Sequence, residues 1–436
     1  MTAVVVVRNS RLRGERVSRS RFRRISRLGA VLVAAVLAVA TITPVTASGA
    51  PSVRGFDGKT ITTAGLAVAA NFADAAIGTQ ARFKRFNDNN EIKGIKLKFT
   101  ELADDQQDPA RATSEARRLV TQLQVFAIVP SVSAVTPGPY LNQQHVPYFG
   151  WGIDNTYCST PKPSTKLYGF GYNGCIVPAD PPYMPDSFVN EYKYVSQKTG
   201  KKHPSIVLFS NDNQSGKNSS RLQATSAQGA GFKVVYAKGA VPISVSDYTP
   251  YVQEWLGADG GKQPDDIHCL LALQCIDIFK QLKPAGFTGT YWTPLYADQL
   301  LKALGGTIVS GFYNTEPNPA FTQFKDDLEA AKSGSKPTLG TAAGYFGADM
   351  FITALKKVAK KGKSNITPEN VQKAASTMKW QIKGFVGPTI YPDATVISTK
   401  SCSSLLEPNA DGTAWNTLQP FSCSPKKFKV DSKFKG

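Results

Sequence analysis

The chain has 436 residues, 42% of them hydrophobic and 19% charged, enough apolar material for two cores and unlike the composition of a disordered or fibrous protein. Its formal charge of +19 comes without any nucleic-acid-binding motif, so solvated lysine faces and attraction to an anionic envelope surface are the readings kept, and nucleic acid is not an expected partner. Removing the net eight positive charges of the first 50 residues leaves +11 on the remainder.

Nine arginines and one acid, Glu15, come before an apolar run over 28–42 and the small residues Val45-Thr46-Ala47 and Ser48-Gly49-Ala50. This is the pattern of a secretory signal peptide over 1–50, with the cut expected after Ala47 or Ala50. The run of about 15 residues falls short of the roughly 20 that span a bilayer, so a retained anchor is the lesser reading. With no cysteine near the cut, a lipid-anchored start is not expected. Arg23-Arg24 resembles a twin-arginine signal, yet Ile25-Ser26-Arg27 departs from that pattern and leaves the export route open. All six cysteines follow the leader and meet an oxidising compartment. Fifteen pairings are formally possible; pairing sequence neighbours gives Cys158 with Cys175, Cys269 with Cys275 and Cys402 with Cys423. A metal site is the weaker rival, because no CxxC occurs and His145, His203 and His268 lack ligand spacing.

In chain order, 60–69 reads as a strand, 77–89 as a helix, 87–94 as a turn and 96–103 as a second strand. An Asp108 N-cap and Pro109 then open a helix with Ala112, Ala116, Leu119, Val120 and Leu123 at helical spacing. Residues 126–129 read as a strand buried on both faces, as in a parallel sheet. A polar turn over 131–137, a helix over 139–145 and a strand over 147–151 complete a βαβαβ pattern, whose ligand-facing rim is the carboxyl ends of the strands. Pro161, Pro163, Gly169, Gly171, Gly174 and Asp180-Pro181-Pro182 mark a loop-rich crossing between domains. A second alternating series follows, with strands at 205–209, 233–237, 267–273, 290–293 and 308–312, and helices starting near Gly216, Tyr248, Asp277, Ala297 and Pro319. Helices over 342–361 and 367–378, a turn and strand segment over 384–392 and a cysteine-bearing tail end the chain. Lysines cluster at 356–363, where cations suit a helix C-terminus, and again at 426–435 as a basic tail.

Several motif matches fail on context. Gly169-Phe170-Gly171-Tyr172-Asn173-Gly174 fits G-x-G-x-x-G but leads into Cys175 and Pro178, not into a helix that binds a pyrophosphate. Ser159-Thr160-Pro161-Lys162 and Lys198-Thr199-Gly200 match two elements of penicillin-binding serine enzymes, but the S-D-N element is missing and the first lies in a proline-rich loop. No nucleophile elbow, P-loop or H-E-x-x-H is present. The turn at Ser131, Ser133 and Thr136 either caps a helix or, at a helix N-terminus on the rim, holds an oxygen-bearing ligand. Trp151 ends the next strand and serves either the ligand's apolar body or the core. Residues 211–216 offer a facing polar rim in the second series.

Taken in order, Asp104-Asp105-Gln106, Asp108-Pro109, Ala127-Ile128-Val129, the serine-rich turn, Val146-Pro147 before Gly150-Trp151-Gly152, the 211–216 loop, Gly344-Tyr345 with Asp349, and Gly387-Pro388 resemble the solute-binding proteins of ABC importers. The likeness is to the leucine/isoleucine/valine-binding type, with its type I periplasmic binding fold, over about 60–392. It implies an α/β chain of two doubly wound sandwich lobes joined by a hinge, 56–178 with 314–388 and 179–313 with 389–430. It further implies that Ser131, Ser133, Ala134, Thr136, Trp151, Gly152 and Ile153 hold a ligand carboxylate, with Phe72, Asn213, Leu273, Gln274 and Tyr296 as further cleft residues. The family's ammonium-pairing acid falls in the 292–296 loop, where this sequence has Leu295; an ammonium left unpaired there is expensive. The function implied is an exported, monomeric, non-enzymatic receptor without cofactor that carries an amino-acid-like, amide or carboxylate ligand to a membrane permease. The alternatives are a ligand-sensing subunit of a signalling receptor and a serine amidohydrolase.

Overall fold

A strand buried on both faces needs apolar partners above and below, and Ala127–Val132 finds them at the centre of the first of two sheets. The computed structural model describes residues 53–398 and 401–434; the leader readings for 1–50 lie outside them. The first sheet comprises β1 (Thr60–Ala67), β2 (Lys96–Asp104), β3 (Ala127–Val132), β4 (Tyr148–Gly150) and β5 (Gly169–Gly171), all parallel, in the order β2-β1-β3-β4-β5. After β6 (Tyr183–Pro185), the second sheet takes β7 (Ser205–Asn211), β8 (Lys233–Val241), β9 (Asp266–Cys269), β10 (Thr290–Thr293) and β11 (Ile308–Gly311), also parallel. Beyond a ribbon of β12 (Lys379–Trp380) and β13 (Thr389–Ile390), β14 (Ser401–Pro408) and β15 (Trp415–Ser424) extend that sheet antiparallel, giving β15-β14-β11-β10-β9-β7-β8. The last strand, β16 (Lys427–Lys429), pairs with β6. Helices cover the sheets, so both lobes are doubly wound α/β sandwiches, the fold class the sequence implies.

The helices Pro319–Ala331 and Leu339–Ala359 return to the first lobe, where both pack on Ala75–Asp88. The chain therefore passes between the sheets three times, over 172–188, 312–318 and 391–398. Hydrogen bonds tie these passages to each other and to the first lobe: Cys175 N–H donates to Ala394 O at 2.7 Å, Ser398 N–H to Cys175 O at 2.8 Å, and Asn314 N–H to Phe385 O at 2.7 Å. All three disulfides join sequence neighbours, Cys158–Cys175, Cys269–Cys275 and Cys402–Cys423.

The close crossing of Ala75–Asp88 on Leu339–Ala359 depends on two glycines. A Cβ at Gly78 would stand 1.9 Å from Thr341 O, and one at Gly344 would stand 1.9 Å from Ala75 O. Beside this contact Arg82, almost fully buried, donates from Nε to Asp349 at 2.7 Å and from both terminal nitrogens to Glu91 at 2.7 and 3.0 Å. Trp380 Nε1 donates to the other Asp349 oxygen at 3.0 Å, and Lys356 pairs with Glu91. A bidentate guanidinium whose partners are themselves bonded avoids the penalty of an unpaired buried charge.

Several elements differ from the sequence reading. Gly169–Gly171 is a strand rather than a loop, held by Phe170 stacked on Phe149 at 5.1 Å. The helix Val189–Thr199 carries Lys198-Thr199 within a surface absent from the expected elements. The segment expected to be helical from Ala297 is only a turn of 3-10 helix at Asp298–Leu300, and the strand expected over 267–273 ends at Cys269. The tail, to which the sequence reading assigned no elements, forms a hairpin and β16, and β14 satisfies the open edge of β11. Leu123 lies past the end of Pro109–Thr121 and is 37% exposed.

Gly344→Ala is expected to cost about 1–3 kcal/mol in chemical denaturation, the range for overpacking a close contact. Gly305→Ala, whose added Cβ would meet nothing nearer than 3.5 Å, is expected to stay within about 0.5 kcal/mol of the parent.

Candidate functional site

The strands of both sheets end facing a common cavity of about 300 Å³, lined from both lobes and from all three passages. The first lobe contributes Phe72, in the short helix after β1, and Trp151, directly after β4. Trp151 N–H donates to Ser131 O at 3.0 Å, which fixes the backbone beneath the ring. Its indole meets Phe72 edge-on at 5.6 Å and Phe312, from the second passage, at 6.4 Å. Tyr172 of the first passage and Val386 beside the ribbon complete that apolar wall.

The second lobe adds polar groups to Asn71 and Gln107 of the first. Asn213 caps the helix Gln214–Ala230 by accepting the Gly216 N–H at 2.7 Å, and both residues line the cavity with Ser215. No acceptor among the described residues takes the N–H of Gln214 or Ser215, so the positive end of this helix faces the cavity. Deeper in the same lobe, Glu191 of Val189–Thr199 meets His268 of β9, with Nδ1 at 2.8 and 3.0 Å from the two carboxyl oxygens. Trp292 of β10 stacks on the imidazole at 3.7 Å and donates from Nε1 to Ser310 Oγ of β11 at 2.9 Å. All four residues line the cavity. Burial pushes the Glu191 carboxyl up to about 8 and holds the His268 imidazole down to about 3. Asp266, two residues before His268 and fully buried, is also raised well above its ordinary value by burial and by Glu191. The cluster is therefore neutral near pH 7. Among the described residues that line the cavity none is a lysine or arginine.

Of the residues the sequence nominates, Phe72, Ala134, Trp151, Ile153 and Asn213 meet at this cavity. Ser131, Ser133, Thr136, Gly152, Leu273, Gln274 and Tyr296 are not among its lining. The serine turn largely satisfies itself: Ser133 Oγ accepts the Val135 N–H at 3.0 Å, and Thr136 Oγ1 donates to Ser133 O at 3.2 Å. Gly152 N–H is taken by Asn173 Oδ1 at 3.0 Å. Leu273 is 39% exposed, Gln274 donates to Ile243 O at 2.8 Å, and Tyr296 stacks on Trp415 at 5.0 Å. In the 292–296 loop Pro294 reaches the cavity, while Leu295 is buried in the core. Glu191, Trp292 and Ser310 were missed as site residues, and His268 was weighed only as a metal ligand. One signal was available: Asp266 and His268 alternate as polar residues on one face of a strand that is otherwise apolar.

Residues 60–412 match the family model described as periplasmic binding protein. A comparison with curated proteins finds no match. Among solved structures, similarity extends to a fatty acid ABC transporter substrate-binding protein from Thermomonospora curvata, 16% identical with a TM-score of 0.67, covering 86% of this chain and 96% of that one. A possible leucine/isoleucine/valine-binding protein from Rhodopirellula baltica SH 1 is 16% identical with a TM-score of 0.63, over 85% and 98%. An ABC transporter solute binding protein from R. palustris in complex with benzoate is 13% identical with a TM-score of 0.60, over 84% and 97%.

The buried acid makes stability depend on pH. In the unfolded chain Glu191 ionises near its ordinary value of 4.5, whereas folded it keeps its proton to about 8, so its contribution is full below 4.5 and lost as pH rises through 8. Below about 6.5, buried neutral His268 has the opposite slope, which offsets Glu191 and leaves the decline visible above that pH. Between pH 6.5 and 8, Glu191 is expected to contribute a loss of about 2 kcal/mol to the denaturation of the parent, on top of the decline from Asp266, and Glu191→Gln is expected to remove that share.

Proposed function

From the premise that the chain belongs to the periplasmic binding protein family, we propose that it captures a small organic molecule between its lobes and delivers it to the permease of an ABC importer. The observation that carries this reading is the cavity itself, lined by both lobes and by every passage between them. A ligand touching both walls interacts best when they approach, and closure about three short passages belongs to the hinge class of motion. We take 56–178 with 314–388 as one closing body and 179–313 with 389–430 as the other. The protein acts outside the cytoplasm after removal of its leader, as a monomer, without cofactor or catalysis.

The lining supports a ligand with an apolar body and few polar ends. Phe72, Trp151, Ile153 and Phe312 offer rings and aliphatic surface to the body, as small-molecule sites commonly do. Asn213 and the start of Gln214–Ala230 offer N–H donors to a carbonyl or carboxylate oxygen. The fatty acid and benzoate in the names of two similar structures share with this reading a hydrocarbon body and one polar end, the sign of which is set by each protein's own lining. Ser131, Ser133, Thr136 and Gly152 act in this reading by shaping the wall that carries Ala134 and Trp151, rather than by touching the ligand.

A thermal-shift screen of amino acids, amides, aromatic acids, amines and short peptides is expected to identify a ligand that also changes tryptophan fluorescence. At one hundred times its Kd that ligand stabilises the folded state by about 2.7 kcal/mol. Trp151→Ala is expected to weaken its binding at least tenfold while the melting temperature without ligand stays within a few degrees. Absence of any shift at millimolar concentration across the screen contradicts the reading.

A further inference from the structure

The resemblance calls for an acid in the 292–296 loop, but Leu295 is buried there in the core. A different acid lines the cavity: Glu191, on the helix Val189–Thr199, only 3% exposed and bonded to His268. We propose that the Glu191 carboxyl, backed by His268, is the subsite for a protonated amine or amidine on the ligand, and that capture of this cation releases one proton from the protein. The proposal rests on the importer reading and names the chemical class of one end of its substrate.

Charge decides the sign of the group that fits. Glu191 lines the cavity, Asp266 stands close enough to act on it, and no lysine or arginine among the described lining residues balances either acid. A carboxylate ligand brought here would add a charge of the same sign as any ionised acid, at a cost that a buried site magnifies. A cation does the reverse, giving Glu191 the partner whose absence keeps it protonated. Asp266, raised by burial and by a hydrogen bond shared with Glu191, stays protonated beside the ionised Glu191, so one cation suffices.

The proton inventory closes through His268. Before binding, the Glu191 carboxyl donates to Nδ1 and the imidazole carries its own hydrogen on Nε2. After binding, the imidazole carries that hydrogen on Nδ1 and donates it to the Glu191 carboxylate, which keeps its second lone-pair directions for the ligand nitrogen. One proton leaves to solvent and His268 is neutral in both states, as its burial requires. Trp292 and Phe188, both lining the cavity, hold the imidazole in place, with ring centroids at 3.7 and 4.7 Å. Other ionisable groups on the surrounding elements are Lys198 and Tyr194 on the same helix, Glu407 on β14, Asp186 just before the helix, bonded to Ser424, and Arg221 alongside, bonded to Ala179 O.

Benzylamine, benzyl alcohol and benzoate share one ring and differ in charge, so calorimetric titration with these three separates the possibilities. Benzylamine is expected to bind at least tenfold more tightly than either of the others at pH 8. Its affinity is expected to rise at least tenfold from pH 6 to pH 8, and titrations in buffers of different ionisation enthalpy at pH 6 are expected to show close to one proton released. Glu191→Gln, which retains a hydrogen-bonding partner for Nδ1, is expected to abolish the preference and the proton release. Tighter binding of benzoate or benzyl alcohol, or an unchanged benzylamine isotherm in Glu191→Gln, overturns the inference. Failure of benzylamine while another class in the screen binds overturns it and leaves the importer reading standing; failure of every compound overturns both. The proton count on the parent protein alone decides the matter if the variant does not fold.

Discussion

The space between the two strand-end edges has a mostly apolar lining, and among the described residues no lysine or arginine enters it; the rest of the site follows from this pair of constraints. In such a place every polar group either finds a partner within the protein or waits for one on a ligand. Most have found one. Asn173 takes the Gly152 N–H, Asn213 the Gly216 N–H, and Ser310 the indole N–H of Trp292. Among those that remain are the first N–H groups of Gln214–Ala230, the side chains of Asn71 and Gln107 on the first lobe, and a protonated carboxyl paired with an imidazole. Specificity therefore rests on very few groups, set among rings that accept many shapes.

The fold supplies the rigidity that makes those groups meaningful. In the first lobe, the glycine contact between Ala75–Asp88 and Leu339–Ala359 and the Arg82, Glu91, Asp349 and Trp380 network lock the helices that carry the chain back from the second passage. Each disulfide involves a segment that lines the cavity or passes between the sheets. Cys175 lies in the first passage, Cys402 lines the cavity at the start of β14, and Cys269–Cys275 closes the loop that presents Leu270, Leu271 and Ala272 to the cavity. Segments too short to have cores of their own are thus tied covalently to segments that have them.

Periodicity and turn chemistry made most of the architecture legible. The parallel first sheet up to Trp151 and the alternating second series emerge from apolar spacing, and the resemblance adds the two-lobed plan. Phe72, Trp151 and Asn213 were legible as candidate cleft residues because each follows a strand end, and all three line the cavity. The serine turn reads equally as a cap and as a ligand cradle, and only coordinates show Ser133 and Thr136 spending their bonds on the turn itself. Glu191 was hidden for a different reason: its helix follows a proline-rich stretch with no apolar stripe, and its partner His268 lies 77 positions away. The strands of the tail went unassigned because pairing at a sheet edge depends on a distant strand, β11, and not on local sequence.

The central claim is that a ligand packs against Trp151 and Phe312 with a nitrogen on Glu191. A crystal structure with the tightest amine from a screen tests it most directly. The account predicts the ring of that amine against those two side chains, its nitrogen about 3 Å from a Glu191 oxygen, and lobes closer together than in the ligand-free protein. An amine bound on an outer surface, or one in the cavity with its nitrogen directed away from Glu191, contradicts it.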